Sequence, residues 1–119
     1  MTARSTADVV NDHLALAQGG DLDTDIGRNF APDCVLMTTY GVFRGHDGIR
    51  DAARLLDEQL GKTGYEYRTR MCHGELGFLE WTASSDRARI DDGADSYWVH
   101  AGLIRAMTIH YTVLPPIRK

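Results

Sequence analysis

The chain has 119 residues, a formal charge of −4 and 43% hydrophobic residues, which is one domain spanning 1–119 with enough apolar material for its own core. Acids and bases are interspersed and no basic stripe occurs, which excludes a phosphate-neutralising footprint for nucleic acid. No apolar run reaches membrane-span length, MTARSTADVV lacks the apolar centre of a signal peptide, and Cys34 and Cys72 have no close spacing, so the expectation is a cytoplasmic protein with two reduced cysteines in its core.

RSTADVVNDHLALAQGGD predicts a first helix. Ser5 or Thr6 can cap it, Asp8 sits near its positive end, and Gly19-Gly20 closes it. Val10, Leu14 and Ala17 form its apolar stripe, and His13 lies on that stripe. DLDTDIGRNFAPD predicts a short second helix with Leu22, Ile26 and Phe30 four apart, stopped by Pro32. CVLMTTYGVFRG reads as a strand broken at Gly41 and a short return. HDGIRDAARLLDEQLGKTG is a third helix, with Asp47 as cap and Ile49, Ala53, Leu56 and Leu60 as buried stripe.

After Gly64 the period becomes two. Tyr65, Tyr67, Thr69 and Met71 oppose Glu66, Arg68 and Arg70. LGFLEWTAS, RARIDDGADSYWVH and LIRAMTIHYTV predict three more strands, and Pro115-Pro116 end the ordered part. Helices first and antiparallel strands after mark an α+β fold. Long antiparallel strands with helices on one face curl into a cone, and a cone is a ready pocket.

The last two strands join at Ala101-Gly102. One face of the first reads Asp95, Tyr97, Val99, and one face of the second reads Leu103, Arg105, Met107, Ile109, Tyr111, Val113. A lone buried charge is costly, so Asp95 either meets water or works inside a cavity, where perturbed carboxylates are usually functional. Together with His13 it could bind a polar group or move a proton. Tyr40, Tyr67, Trp81, Tyr97, Met107 and Tyr111 are aromatic or soft side chains divided between core and pocket wall. Glu80 reads as outward-facing, and Asp91 and Asp92 as turn or edge residues. The five histidines show no metal-binding spacing, so neither a metal nor a cofactor is expected.

The GGDLD helix junction, FAPDCVLMTTYGVFRGHDGIRDA and DDGADSYWVHAGLIRAMTIHYTV together resemble the SnoaL-like, or nuclear-transport-factor-2-like, superfamily across nearly the whole chain. That group includes ketosteroid isomerases and polyketide cyclases. The resemblance implies a cone-shaped, cystatin-like curved antiparallel sheet packed with three helices. It aligns Asp95 with the isomerases' oxyanion-binding aspartic acid, a known case of a carboxylic acid kept neutral by an apolar site. His13 falls where those enzymes carry an oxyanion tyrosine. Thr38 falls where they carry the proton-shuttling carboxylate, and a threonine cannot be that base. Ile109 lies near the position of the cyclases' catalytic acid, and the aspartate–arginine–aspartate set of epoxide hydrolases of this fold is not assembled. A plain two-residue turn at Ala101-Gly102 would put Asp95 on the face of Thr108; the family arrangement needs a bulge.

The function implied is binding of a small, mostly apolar molecule with a polar end, with isomerase or cyclase acid–base chemistry by Asp95 and His13. Thr38, Tyr40, Trp81, Tyr97, Met107, Ile109 and Tyr111 are the candidate ligand contacts. The alternatives are a non-catalytic binding protein and a protein-interaction module. A homodimer is expected through the outer sheet face bearing Trp98, His100, His110 and Thr112.

Overall fold

The computed structural model describes residues 4–117. The elements are α1 (Thr6–Gly19), α2 (Leu22–Asn29), β1 (Phe30–Thr38), β2 (Gly41–Arg44), α3 (Gly45–Leu60), β3 (Tyr65–His73), β4 (Leu76–Ser84), β5 (Arg89–His100) and β6 (Leu103–His110). At the start of α1, Ser5 Oγ accepts the Asp8 amide at 3.0 Å and the Asp8 carboxylate accepts the Ser5 amide at 3.3 Å. This reciprocal pair satisfies two amides that the helix itself leaves open. Gly20 closes the helix in the left-handed conformation, φ 77°.

Pro32 is not what ends α2. The helix stops at Asn29, and Phe30 already opens β1. Pairing of β1 with β6 is irregular between Phe30 and Val35, and a residue with no amide proton fits such an interruption. Asp47 does not cap α3 either: Arg44 holds the cap position without a side-chain bond, and Asp47 lies in the first turn, where its charge still opposes the positive helix end.

One six-stranded curved sheet runs β2-β1-β6-β5-β4-β3. The fold is α+β with three helices, as expected, but the sheet is mixed: β1 pairs with β6 in parallel, and the other pairs are antiparallel. After α3 the chain restarts at the far edge and meanders back, so its last strand arrives beside the first in the same direction. Irregularities interrupt the β3–β4, β4–β5 and β5–β6 ladders, and such bulges increase twist and bend a sheet. The helices cover the concave face. Val9, Val10, Leu14, Ile26, Phe30, Leu36, Leu79 and Ile104 are core residues there, each at most 2% exposed.

The irregularities also change which side chains share a face. In β3 Tyr67 pairs with Trp81, but Thr69 pairs with Glu80 and Arg70 with Leu79. The strict alternation expected from Tyr65 to Met71 therefore breaks: Thr69 and Met71 turn outward, and Arg70 reaches Asn11 on α1 at 2.8 Å. Cys34 is buried as expected, and burial pushes its thiol up. Cys72 is exposed, because the far end of β3 is an edge that no core covers. The last strand ends at His110 instead of continuing to Val113, and beyond it Leu114 makes an isolated bridge with Arg89.

Candidate active site in the cone

The turn at Ala101-Gly102 decides the site. Both residues have positive φ, 52° and 77°, as a two-residue hairpin turn of right-handed strands demands. His100 pairs with Leu103 and Val99 with Ile104, but Trp98 pairs with Ala106, leaving Arg105 as the extra residue. From there Tyr97 faces Met107 and Asp95 faces Ile109. The bulge needed by the family arrangement is present, and it corrects the simple face reading: Ile104, not Leu103 or Arg105, joins Met107 on the buried side. A one-residue slip moves every later side chain to the opposite face.

Between this face and the helices lies a cavity of ≈ 950 Å³. Its walls include Leu14, Phe30, Leu36, Leu79, Trp81 and Met107, and its polar groups include His13, Asp25 and Asp95. Arg50, Arg54, Asp57 and Lys62 add charge to the lining. Such an apolar cleft with a few converging polar groups is the usual form of a small-molecule site.

Asp95 is 7% exposed. Trp81 Nε1 donates to its Oδ1 at 2.8 Å, and the Tyr97 hydroxyl donates to its Oδ2 at 2.8 Å. Desolvation pushes its pKa up to about 6, against the opposing pull of the two hydrogen bonds and the charge of His13. Tyr97 is itself 1% exposed and its phenol is pushed well up, first by burial and then by Asp95. The position of Trp81 depends on Gly93, its cross-strand partner. A Cβ at residue 93 would stand 2.3 Å from the indole ring, so the ring lies directly over backbone that only glycine leaves open.

His13 projects from α1 between two rings, edge-on to Phe30 at 5.3 Å and to Tyr97 at 5.6 Å. Its Nδ1 lies 2.7 Å from Asp25 Oδ2. Asp25, on α2, is 2% exposed, and its other oxygen accepts from Asn29 Nδ2 at 2.9 Å. Asn29 also donates to Asp12 at 2.8 Å and accepts from Arg4 at 2.8 Å, while Arg28 grips Asp12 through two bonds. The chain of partners thus leads from the cavity to the surface.

Of the candidate residues, His13, Asp95, Trp81, Met107 and Ile109 line this cavity. Tyr97 stands behind Asp95 and orients it. Thr38, Tyr40 and Tyr111 are not among the lining residues. Thr38 Oγ1 accepts the Tyr40 amide at 2.9 Å in the β1–β2 turn, Tyr40 is 44% exposed, and Tyr111 donates to Gln59 Oε1 at 2.7 Å. Thr38 ends β1, Tyr40 lies in the turn after it and Tyr111 follows β6, with its ring 5.9 Å from that of Trp81. Asp25 and Asn29 were not foreseen. Their sequence trace is a polar pair at i and i+4 running beside the Leu22–Ile26–Phe30 stripe, which places both at the margin of the buried face. Among the described residues no group of three or more His, Cys, Asp or Glu could hold a metal ion.

A SnoaL-like domain matches residues 10–107. No curated protein matches the chain. Among solved structures, an NTF2-like protein of unknown function from Cytophaga hutchinsonii is similar with a TM-score of 0.73 and 14% identity over 93% of each chain. TerC, co-crystallised with polyporic acid, is similar with a TM-score of 0.76 and 16% identity, covering 90% of this chain and 91% of that one. A candidate SnoaL-like polyketide cyclase from Mesorhizobium loti gives 0.69 and 18%, covering 91% of this chain and 100% of its own. At such identities the likeness concerns the fold.

Proposed function

Because the chain belongs to the SnoaL-like domain family, matched over residues 10–107, we propose that it binds a small, mostly apolar molecule with a polar end inside the cone, and that Asp95 and His13 are acid–base groups for an isomerase- or cyclase-type reaction on it. The observation that carries this reading is Asp95 itself. It is a nearly buried carboxyl on an apolar cavity wall, held by two donors and brought to a pKa of about 6, which is where an acid–base group serves best near neutral pH. The apolar body of the ligand would lie against Leu36, Leu79 and Met107, with its polar end toward Asp95 and His13. TerC and its co-crystallised polyporic acid offer a precedent for a ligand on this fold.

The test is binding, then turnover. Trp81 lines the cavity, so a Trp98→Phe background isolates its fluorescence. Small aromatic and polyketide-like ketones should quench it, and native mass spectrometry after extraction should retain a small molecule. Absence of both would remove the cavity from consideration as a ligand site. A specific observation favours the second reading, a non-catalytic carrier: β1 supplies no carboxylate to the cavity, since Thr38 stands outside its lining. Binding without turnover of any bound ketone would decide for the carrier.

The assembly we propose is a homodimer through the convex sheet face. Met37, Val42, Met71, Leu76, Phe78 and Trp98 are exposed there, between 38% and 63%. Cross-strand pairing joins Val42, Met37, Thr108, Ser96, Phe78 and Met71 into one row. A second copy offers the same row to itself across a two-fold axis. Among the described residues no helix is long and apolar enough to cross a membrane.

A further inference from the structure

We propose that Asp25 is a positioning residue that holds the imidazole proton of His13 on Nδ1, so that Nε2 meets the cavity as a proton acceptor and the bound molecule is one with an acidic hydrogen, a hydroxyl or a C–H beside a carbonyl. This rests on the reading of the cavity as a ligand site and assigns the role of one of its groups.

Three observations converge. Asp25 can only accept when ionised, and Asn29 fixes which way it faces. Asn29 spends its amide hydrogens on Asp25 and Asp12, and its carbonyl oxygen accepts from Arg4 at 2.8 Å. That leaves Oδ2 of Asp25 for His13 Nδ1 at 2.7 Å, and since an ionised carboxylate can only accept, we place the proton of that bond on the imidazole. Secondly, the ring packs edge-on against both Phe30 and Tyr97, contacts that limit its rotation. Thirdly, among the described residues Nε2 has no hydrogen-bond partner, yet no buried side-chain nitrogen or oxygen is left unsatisfied. Nε2 therefore keeps access to space, and the space that His13 lines is the cavity.

In the step this arrangement supports, the O–H or C–H bond of the bound molecule breaks and an Nε2–H bond forms. The electron pair stays on the molecule. The positive charge gained by the ring faces the carboxylate of Asp25, as in other acid-oriented histidines, where the carboxylate selects the tautomer without taking the proton itself. The base that β1 lacks is thereby supplied from α1, and no cofactor or co-reactant enters the balance.

The experiment needs no ligand. In protein labelled with ¹⁵N at histidine, the neutral form of His13 should show a protonated Nδ1 and an unprotonated Nε2. In Asp25→Asn, the Asn29 and His13 contacts favour an amide donating to Nδ1, and the proton should move to Nε2. Acylation of His13 by diethyl pyrocarbonate, followed by peptide mass spectrometry, should then be lost, because a protonated Nε2 has no lone pair to attack with, while exposed His110 reacts as before. A neutral parent ring with its proton on Nε2 overturns the proposal without any variant having to fold. So does an Asp25→Asn protein that folds and keeps both the Nδ1 proton and the parent acylation rate. Either result is independent of whether a ligand binds, so failure of the ligand reading and failure of this one are separable.

Discussion

At the scale of single residues, Asp95 couples stability to pH with a defined sign. Its pKa is raised on folding, from the ordinary aspartate value of 3.8 to about 6. A raised pKa means that the folded protein binds the proton more tightly than the unfolded chain. The stabilisation is therefore complete below about pH 4 and is lost as pH rises through about 6, a change of roughly 3 kcal/mol. Asp12, Glu75 and Asp92 are held low by hydrogen-bonding partners and act in the opposite direction, but they do so in parent and variant alike. Asp95→Asn keeps an acceptor for Trp81 and reverses the Tyr97 bond, its amide donating to the phenol oxygen, so it should fold. Its stability relative to the parent should rise by ~3 kcal/mol between pH 4 and pH 7 in urea titrations, while its affinity for cavity ligands falls. A flat difference across that range would mean that Asp95 is not desolvated. Gly93 gives a second residue-scale expectation. Alanine there would place Cβ 2.3 Å from the Trp81 ring, a side chain tied in place by its bond to Asp95. Gly93→Ala should cost about 1–3 kcal/mol through overpacking and alter the near-ultraviolet circular dichroism of Trp81. An unchanged spectrum would show that the indole has room to spare.

At the scale of elements, one surplus residue in the β5–β6 hairpin sets the face on which the site is built. Arg105 itself does little: it is half-buried, and its Nε donates to the His100 carbonyl at 3.2 Å. Arg105→Ala should lie within ~0.5–1 kcal/mol of the parent in denaturant midpoint. Deleting Arg105 is a different experiment. Its removal would join the Val99–Ile104 pair directly to the Trp98–Ala106 pair, so Asp95 would still face Ile109 while the bulge and the twist it adds would go. The deletion should therefore keep ligand quenching of Trp81 and cost about 1–3 kcal/mol through the lost twist. Loss of quenching in a deletion that still folds would show that the bulge itself, beyond the pairing, shapes the site. The bulge in β3 works the same way on a smaller scale, since it hands Arg70 to Asn11 and sends Met71 to the convex face.

At the scale of the whole molecule, concave and convex faces of the sheet divide the labour. The concave face carries the cavity, and the convex face exposes Phe78, Leu76 and Trp98 beside Glu75, which accepts from Trp98 at 3.1 Å and contacts His100 at 2.7 Å. Sedimentation velocity at micromolar concentration should show a dimer for the parent. Phe78→Glu should give a monomer, because it places a charge within the apolar row that the two copies would bury against each other. Ligand quenching of Trp81 should survive in that monomer, since the cavity is built within one chain. A parent that sediments as a monomer would remove the assembly, and a Phe78→Glu variant that remains dimeric would move it to another face.

Local chemistry was enough for much of this fold. Ser5 and Asp8 announce the start of α1, Gly19-Gly20 its end, and the period-two runs after Gly64 the strands. These features act over a few residues, so composition and spacing determine them, as they do the placing of His13 on the core-facing stripe of α1. The hydrophobic pattern also marked Asp95 as an odd carboxylate among apolar neighbours. Contacts distant in sequence decided the rest. Whether Asp95 faces Thr108 or Ile109 depends on a bulge, which no local propensity specifies, and the parallel pairing of β1 with β6 depends on the path of the intervening strands. The partner of His13 could not be read either. Asp25 is an ordinary acidic residue of a short amphipathic helix until α2 packs on α1 and desolvates it against the imidazole. Thr38, aligned by likeness with a catalytic base, is not among the cavity-lining residues, and its hydroxyl is engaged in the β1–β2 turn. Sequence determined which residues could do chemistry; only the packing of helices on a bent sheet decided which of them meet in one desolvated space.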